Sequence, residues 1–268
     1  MRSLSLSKGR MTTDYFIFIP AYNVASTLVL VLQKIPEGVW ERAVVLVIDD
    51  GSADDTRGVF ESFVEELNGQ SSGAEKKSHL RYMRFEQNNG YGSVVKKGIA
   101  EGLHSGARFV ACLHGDGQYP AEKLQEFFDY MEHQGRTDDS ETSVKALALV
   151  QGSRHLTRGG AKAGNMPLYK RVGGKFLTVV ENLAFKQKLT DRHSGFIVYA
   201  SEFLRTLDLA KLSPSFDIDL EIISIADARG LKLGELPIPT RYADEKSNLN
   251  VVTYGLRVLR QVFRRIRA

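Results

Sequence analysis

Acidic residues and glycines stand where apolar segments of the chain end. Asp49 and Asp50 follow the apolar run Val44–Ile48, and the turn His114–Gln118 (HGDGQ) follows Arg108–Leu113. A carboxylate with an imidazole or amide two residues away can bind a divalent cation, and glycine lets the backbone come close. Asp and Gly also make ordinary turns, which explains Asp50 and its glycine equally well. The five consecutive turn or ligand residues of HGDGQ favour a site for Mg²⁺ or Mn²⁺.

Segments of strand length alternate with amphipathic segments of helix length. The predicted strands are residues 15–19, 44–48, 80–85, 108–113 and 146–151. The predicted helices are residues 25–35, 54–67, 93–103 and 122–134, and residues 68–78 and 135–143 are predicted polar loops. Near-continuously apolar strands indicate a buried, mostly parallel α/β sheet with helices on both faces. Ligands bind such sheets at the carboxyl ends of the strands, where PAYN, DDGS, NNGYG and HGDGQYP lie.

Composition and charge exclude several classes of protein. The 268 residues are 43% hydrophobic and include one cysteine, Cys112, so neither an internal disulfide nor a thiol-built zinc centre is expected. The net charge of +4 comes from the two ends, because residues 11–250 carry 28 basic and 32 acidic side chains. A uniformly basic surface for nucleic acid is therefore not expected.

The loop Asn88–Gly92 (NNGYG) partly matches a dinucleotide-binding fingerprint. Gly90, Tyr91 and Gly92 follow a predicted strand, but Val95 occupies the third glycine position and no acidic residue ends a strand at the right distance. The chain also lacks a P-loop sequence. Hydride transfer and P-loop chemistry are therefore disfavoured.

Taken in order, the motifs carry a family resemblance. IPAYN, VIDDGSADDT, NNGYGSVVKKGIAEG and LHGDGQYP together resemble a family 2 glycosyltransferase with the GT-A fold. VQGSRHLTRGG, DRHSGFIVY, FDIDLEII and LPIPTRYADEKSN are similar to the branch of dolichyl-phosphate mannose synthases and polyprenyl-phosphate glycosyltransferases. The resemblance runs from about Tyr15 to Asn250.

The resemblance implies a Rossmann-like GT-A domain over residues 14–250. The charge pattern adds a flexible basic N-terminal segment (1–13) and a basic amphipathic C-terminal helix (251–268). The resemblance further implies an inverting enzyme that moves a sugar from a nucleotide-sugar donor to an acceptor, here a polyprenyl phosphate such as undecaprenyl or dolichyl phosphate. It also implies a divalent cation, Mn²⁺ or Mg²⁺. Neither the sugar, the nucleotide nor the oligomeric state follows from the residues.

The same resemblance assigns site residues. The implied donor-binding residues are Pro20, Ala21, Tyr22, Asp49, Gly115, Asp116, Arg154, Arg171, Arg241 and Lys246. The implied metal ligands are His114, Asp116 and Gln118, and the implied catalytic residues are Arg154 and Asp191. Asp191 would activate or orient the acceptor. Asp217, Asp219 and Glu221 are further candidates, with the alternative that they are charges at a helix N-terminus.

Two positions depart from the family pattern. His114 stands where the D-x-D signature has its first acid, and His is a poorer ligand for Mg²⁺ than a carboxylate. Val24 stands where the family often has Glu after P-x-Y-N, so one donor contact is missing. The choice of metal and of nucleotide therefore stays open.

Two alternatives remain at this stage. The same fold could transfer sugar to a hydroxyl of a glycan or small molecule, which would need a carboxylate as general base, whereas a phosphate acceptor is already ionised at pH 7. Because the first metal acid is missing, the chain could instead bind the donor without turnover.

The C-terminal segment, residues 251–268, carries five Arg and no acid. On a helix, Leu256, Leu259, Phe263 and Ile266 fall on one side and Arg257, Arg260, Arg264 and Arg267 on the other. This pattern is typical of a helix lying in an anionic membrane interface, with packing against the domain as the alternative. We therefore expect a cytoplasmic protein in peripheral contact with a membrane.

A truncation after Asn250 separates these two possibilities for the tail. Each basic residue near an anionic surface contributes about 1 kcal/mol, screened by salt. The truncated protein should keep its melting temperature and lose binding to anionic liposomes at low salt, measured by co-sedimentation. A lower melting temperature would favour packing on the domain, and a full-length protein that ignores the liposomes would refute membrane contact.

Overall fold

The computed structural model describes residues 13–68, 73–135, 146–156, 189–191 and 194–239. Arg171, Arg241, Lys246 and the predicted C-terminal helix (251–268) lie outside these ranges. The described ranges contain seven strands, eight helices and two short 3₁₀ turns.

Seven strands form one sheet in the order β3-β2-β1-β4-β6-β5-β7. The strands are β1 Tyr15–Ala21, β2 Ala43–Asp49, β3 Leu80–Arg84, β4 Phe109–Cys112, β5 Leu147–Ser153, β6 Ile197–Ala200 and β7 Lys232–Pro237. All of these strands run in the same direction except β6, which is antiparallel to both β4 and β5. The carboxyl ends of the six parallel strands therefore share one edge of the sheet with the start of β6. We call this edge the C-terminal edge.

The register places particular residues at the C-terminal edge. Ala21 pairs with Asp49, and Ile197 pairs with Cys112 on one side and with Gln151 on the other. The segment before β6 thus lies beside the ends of β4 and β5. This is how the reversed strand brings Asp191, far along the chain, to the edge where the HGDGQ turn begins.

Helices cover both faces of the sheet. They are α1 Leu28–Gln33, α2 Glu37–Trp40, α3 Thr56–Leu67, α4 Gly73–His79, α5 Tyr91–Ser105, α6 Leu124–Gly135, α7 Ser201–Leu204 and α8 Ile218–Ala228. Two short 3₁₀ turns span Ala121–Lys123 and Leu209–Lys211. On β1, Ile17 and Ile19 face the core under α1, α3 and α6, while Phe16 and Phe18 face the core under α5, α7 and α8. Because successive side chains of a strand point to opposite faces of the sheet, β1 contributes apolar side chains to both cores.

The predicted alternation of strands and helices is confirmed, and the structure differs from the predictions in several elements, among them helices α2 and α7, which were not predicted. The chain is helical from Gly73 to His79, which overlaps the predicted loop 68–78 and ends one residue beyond it. Helix α1 begins at Leu28 rather than near residue 25, because Val24 first closes a turn by accepting hydrogen bonds from the backbone of Thr27 and Leu28. Strands β6 and β7 were not predicted. None of the helices in the described ranges is long and apolar enough to cross a bilayer.

Helix α5 packs unusually close to β1. A Cβ built on Gly98 would overlap the ring of Phe18, and one on Gly102 would lie 2.6 Å from a methyl carbon of Val110. Close packing here fixes the helix whose first residues carry the NNGYG loop.

We expect Gly98→Ala to lower the free energy of unfolding. Overpacking costs about 1–3 kcal/mol, which exceeds the gain of less than about 1 kcal/mol from replacing a helical glycine. Thermal unfolding measures the change. Gly38→Ala is the control, because a Cβ there meets only the end of the Gln125 side chain at 3.2 Å. Equal melting temperatures for the two variants would contradict the packing argument.

Candidate functional site

The loops that follow β1 and β2 are tied together at the C-terminal edge. Asn23 adopts a left-handed backbone (φ 55°) and its side-chain oxygen accepts from the backbone of Ala53 at 2.8 Å. The backbone N–H of Asn23 donates to Ser52 Oγ at 2.9 Å. Tyr22 lies between the end of β1 and Asn23, and it is 40% exposed. The PAYN segment is thus held rigidly, with an aromatic ring open to a ligand.

Asp49, at the end of β2, is fully buried and engaged by protein donors. Its Oδ1 accepts from the backbone and hydroxyl of Ser52 at 2.8 and 2.6 Å, and its Oδ2 accepts from Tyr82 at 2.6 Å and Arg84 at 2.7 Å. Burial alone would raise the pKa of Asp49, but these hydrogen bonds and the Arg84 charge hold it below its ordinary value. Its assignment to the nucleotide base stays a prediction; in this structure, the partly exposed side chain of Arg84 lies between Asp49 and solvent.

Asp50 fastens the NNGYG loop. It is buried, and its two oxygens accept from the backbone of Asn89 at 2.7 Å and of Gly90 at 3.0 Å. Burial raises the pKa of Asp50 above its usual range, against the effect of these two hydrogen bonds. Asp50 is therefore more than a turn residue: it sets where α5 begins.

The glycines of NNGYG serve packing. Gly90 has φ +87°, which favours glycine, and a Cβ on Gly92 would collide with the backbone of Pro214 and Ser215. The start of α5 thus abuts the segment that leads into α8. Packing therefore explains the glycines of the partial dinucleotide fingerprint, and no bound dinucleotide is needed to account for them.

The HGDGQ turn is anchored to the loop after β1. The backbone N–H of Gly115 donates to Pro20 O at 3.1 Å, and the Thr27 hydroxyl donates to Gly115 O at 2.7 Å. Asp116 Oδ1 accepts from the backbone of Gln118 at 3.0 Å across Gly117, whose φ is +74°. The partly exposed Asp116 is therefore held next to PAYN.

His114 lies in an aromatic setting at the start of this turn. Its ring is 5.2 Å from the Tyr91 ring and 5.0 Å, edge-on, from the Tyr119 ring, and a Cβ on Gly195 would overlap it. Its Nε2 is 3.1 Å from the Tyr91 hydroxyl oxygen. Burial lowers the pKa of His114, and the Asp116 charge opposes this only in part, which favours the neutral ring. Neutral imidazole is the form that ligates metals.

Asp219, in the first turn of α8, faces the same cluster. Its two oxygens accept from the hydroxyls of Tyr91 at 2.8 Å and Tyr199 at 3.2 Å. Burial raises its pKa to about 6, against the lowering effect of both hydroxyls. Asp219 is therefore not a simple helix-end charge. Asp217 and Glu221 do serve the helix start, because both accept hydrogen bonds from Ser213.

Arg154 and Asp191, both predicted as catalytic, form a two-pronged ion pair. Arg154 Nε donates to Asp191 Oδ2 at 2.7 Å, and a second guanidinium nitrogen donates to Oδ1 at 2.9 Å. The Asp191 side chain is 2% exposed and that of Arg154 16%. A buried carboxylate on a guanidinium fork is a strong and directional contact.

Glu235, on β7, holds the segment that carries Asp191. Its carboxylate accepts from the backbone of Thr190 at 2.8 Å and of Asp191 at 3.1 Å, and from the Gln151 side chain at 3.2 Å. Burial raises the pKa of Glu235, and these bonds act in the opposite direction. The position of Asp191, and through it that of Arg154, thus depends on a residue that we did not single out from sequence. A lone Glu inside a strand at the C-terminal edge is the signal that could have identified it.

Tyr119 links the two halves of the site. Its hydroxyl oxygen accepts from the backbone of Gly195 at 2.8 Å. Burial raises its pKa to about 12, with the Arg154 charge opposing and the charges of Asp116 and Asp191 reinforcing this rise. The charges of Asp116, Arg154 and Asp191 therefore all act on the Tyr119 hydroxyl.

The donor set of the HGDGQ turn fits a divalent cation that is completed by substrate. In the part of the chain that the structure describes, no group of three or more His, Cys, Asp and Glu side chains is arranged as a metal centre. Asp116 and His114 nevertheless offer one carboxylate and one imidazole, two positions apart on the same turn. Cations held by one or two protein groups plus substrate phosphates need no larger cage.

Comparison with known proteins identifies the family. The model of glycosyl transferase family 2 matches residues 16–206. The chain belongs to glycosyl transferase family 2. It is 27% identical over 231 residues to a dolichyl-phosphate beta-glucosyltransferase of Trichomonas vaginalis, covering 82% of this chain and 61% of that protein's length. It is 25% identical over 231 residues to the UDP-N-acetylglucosamine–dolichyl-phosphate N-acetylglucosaminyltransferase of Methanococcus voltae, covering 85% of this chain and 86% of that protein.

The solved structures support the fold assignment. Glucosyl-3-phosphoglycerate synthase of Mycobacterium tuberculosis, crystallised with Mn²⁺, uridine diphosphate and phosphoglyceric acid, superposes with a TM-score of 0.61 at 14% identity. The match covers 95% of this chain and 78% of the other. The predicted GT-A fold of this family 2 glycosyltransferase is confirmed.

Replacing Glu235 by Gln should loosen the Asp191 segment. The amide would turn an N–H toward backbone donors, and a buried donor left without an acceptor costs about 1–3 kcal/mol. We expect a lower melting temperature and faster hydrogen exchange at the amides of Thr190 and Asp191. Glu202→Gln, at an exposed position of α7, is the control. Unchanged exchange in Glu235→Gln would mean that Glu235 does not hold this segment.

Proposed function

We propose that this family 2 glycosyltransferase moves a sugar from a nucleoside diphosphate sugar to a polyprenyl phosphate in a divalent-cation-dependent, inverting reaction. The relatives named for dolichyl phosphate acceptors, similar along most of this chain, support this acceptor. The new bond joins an acceptor phosphate oxygen to the anomeric carbon. The bond from that carbon to the nucleoside diphosphate breaks, and the diphosphate leaves with the electron pair.

The Arg154–Asp191 pair is the observation that carries the choice of acceptor. A hydroxyl acceptor would need a carboxylate to take its proton. Both oxygens of Asp191 already accept from Arg154 and its side chain is only 2% exposed, so a hydroxyl acceptor would have little access to this carboxylate. A phosphate acceptor brings its own negative charge and needs no base. The pair then serves to orient Arg154 toward phosphate oxygens.

The donor is expected to bind along the C-terminal edge. Tyr22, with Pro20 and Ala21 beside it, would contact the nucleoside, and Asp49 would act at the base together with Arg84. Gly115 allows close approach to the diphosphate. Arg154, with Arg171, Arg241 and Lys246, would neutralise the charge that develops on the leaving diphosphate, for which the fork of Arg is well suited.

The cation would be held by Asp116 and His114, with Gln118 as a further contact. When bound, it would supply positive charge to the diphosphate as the glycosidic bond breaks. The basic C-terminal segment would keep the protein on the cytoplasmic surface of an anionic membrane, where a polyprenyl phosphate is embedded.

A transfer assay tests the function. The full-length protein is incubated with uridine and guanosine diphosphate sugars, with Mn²⁺, Mg²⁺ or a chelator, and with either a polyprenyl phosphate or the polyprenol of equal length. We expect product from the phosphate acceptor only, and only with a cation. Product on a hydroxyl acceptor would favour the first alternative. Donor binding with no product on any acceptor would favour the binding module.

Asp116→Asn should weaken cation-dependent donor binding. The neutral amide keeps the shape of the turn but removes the charge that faces the cation, so we expect at least a tenfold loss, about 1.4 kcal/mol, in the affinity for uridine diphosphate with Mn²⁺. Isothermal calorimetry with and without Mn²⁺ measures it. Asp129→Asn, exposed on α6, is the matched control. Equal affinities would remove Asp116 from the cation site.

A further inference from the structure

The first residue of the HGDGQ turn is an imidazole, and an imidazole presents different chemistry from its two nitrogens. A neutral ring has one protonated nitrogen, which can only donate, and one bare nitrogen, which can bind a cation. His114 can therefore ligate a metal only through the nitrogen that lacks a proton. Whatever fixes its tautomer decides which nitrogen that is.

Hydrogen-bond direction around Tyr91 fixes this tautomer. The Tyr91 hydroxyl has one proton, which it donates to Asp219 Oδ2 at 2.8 Å. An ionised carboxylate cannot donate in return. Toward His114 Nε2, 3.1 Å away, the Tyr91 oxygen can then act only as an acceptor. The proton of the neutral His114 ring must therefore reside on Nε2.

We propose that Tyr91 and Asp219 are positioning residues that hold His114 as its Nε2-protonated tautomer, so that Nδ1 offers its lone pair to the divalent cation bound with Asp116. This inference rests on the proposed function, since it assigns a ligand atom to the cation of that reaction. Metal-binding histidines commonly donate their other N–H to a carboxylate, a carbonyl or water. Here a tyrosine hydroxyl stands between the histidine and the carboxylate.

The surrounding packing keeps this arrangement in place. The Tyr91 ring stacks on Phe216 at 5.3 Å with an 11° tilt. The close approach of Gly92 to Pro214 fixes α5 against the segment that leads to Asp219. The Tyr119 ring packs edge-on against the His114 ring, and a Cβ built on Gly195 would overlap Nε2 of His114. These contacts oppose the ring flip that would exchange Nδ1 and Nε2.

The first test is the tautomer of the metal-free wild-type protein. Nitrogen-15 NMR of labelled histidine distinguishes protonated from bare ring nitrogens, and His114→Gln assigns the signal. We expect His114 to carry its proton on Nε2, and a mixture of tautomers in Tyr91→Phe. A wild-type ring protonated on Nδ1 overturns the inference, and this measurement needs no variant of the relay to fold.

The second test is Mn²⁺ affinity in the presence of uridine diphosphate. Loss of a group that orients a metal-binding histidine typically costs 10–100-fold in metal affinity, and we expect this loss in Tyr91→Phe. Tyr15→Phe is the control, because it removes a hydrogen bond of the same length, 2.8 Å, from a tyrosine to a carboxylate, that of Glu132. Tyr15 is the first residue of β1 and lies away from the C-terminal edge, where the candidate site is. Equal Mn²⁺ affinity in Tyr91→Phe and the wild type overturns the inference.

A double variant separates positioning from general damage. In a His114→Asp background the ligand has no tautomer, so adding Tyr91→Phe should leave Mn²⁺ affinity unchanged. A further tenfold loss there would mean that Tyr91 acts on the fold, which overturns the inference. These readouts do not depend on turnover. A wild-type protein that binds Mn²⁺ as expected but transfers no sugar would refute the proposed function alone.

Discussion

A carboxylate that is buried must be met by donors, because an unpaired charge in the interior costs several kcal/mol. The C-terminal edge buries Asp49, Asp50 and Asp191, and each takes its donors from a different part of the chain. Asp49 binds Tyr82 and Arg84 of β3, Asp50 binds the loop before α5, and Asp191 binds the residue that follows β5. The loops of the site therefore hold their positions because these charges are satisfied.

The same requirement limits the chemistry that each acid can perform. A buried carboxylate whose oxygens are both held by a fixed donor is less accessible to a substrate proton, and this applies most directly to Asp191. What the edge presents to a ligand is then Asp116 on its glycine-flanked turn, the exposed ring of Tyr22 and the guanidinium of Arg154. Such a set suits a reaction in which charge moves between phosphates and no proton needs to be abstracted.

Sequence reasoning succeeded where the signal was local or where the order of motifs carried it. Apolar periodicity identified β1 to β5 because each strand is a property of a few consecutive residues. Sequence reasoning singled out Arg154 and Asp191 separately, and the structure shows that they form an ion pair across 37 positions. The contact between Tyr91 and Asp219 spans 128 positions and depends on the reversed strand β6 and on the packing of α5, which no local pattern encodes. Asp219 resembled a helix-end charge because proximity to a helix start is visible in sequence and burial is not.

The replacement of the first D-x-D acid by His114 then has a physical reading. The negative charge that the family places on the turn is carried here by Asp219, two hydrogen bonds behind the ring and reached through Tyr91. The turn keeps an acidic partner while presenting nitrogen in place of oxygen. Mg²⁺ strongly prefers oxygen ligands. Mn²⁺ has a weaker preference for oxygen and also accepts an imidazole nitrogen. The nitrogen that His114 would present thus bears on which cation the turn accepts, and under the proposed arrangement it is oriented by residues that do not contact the cation.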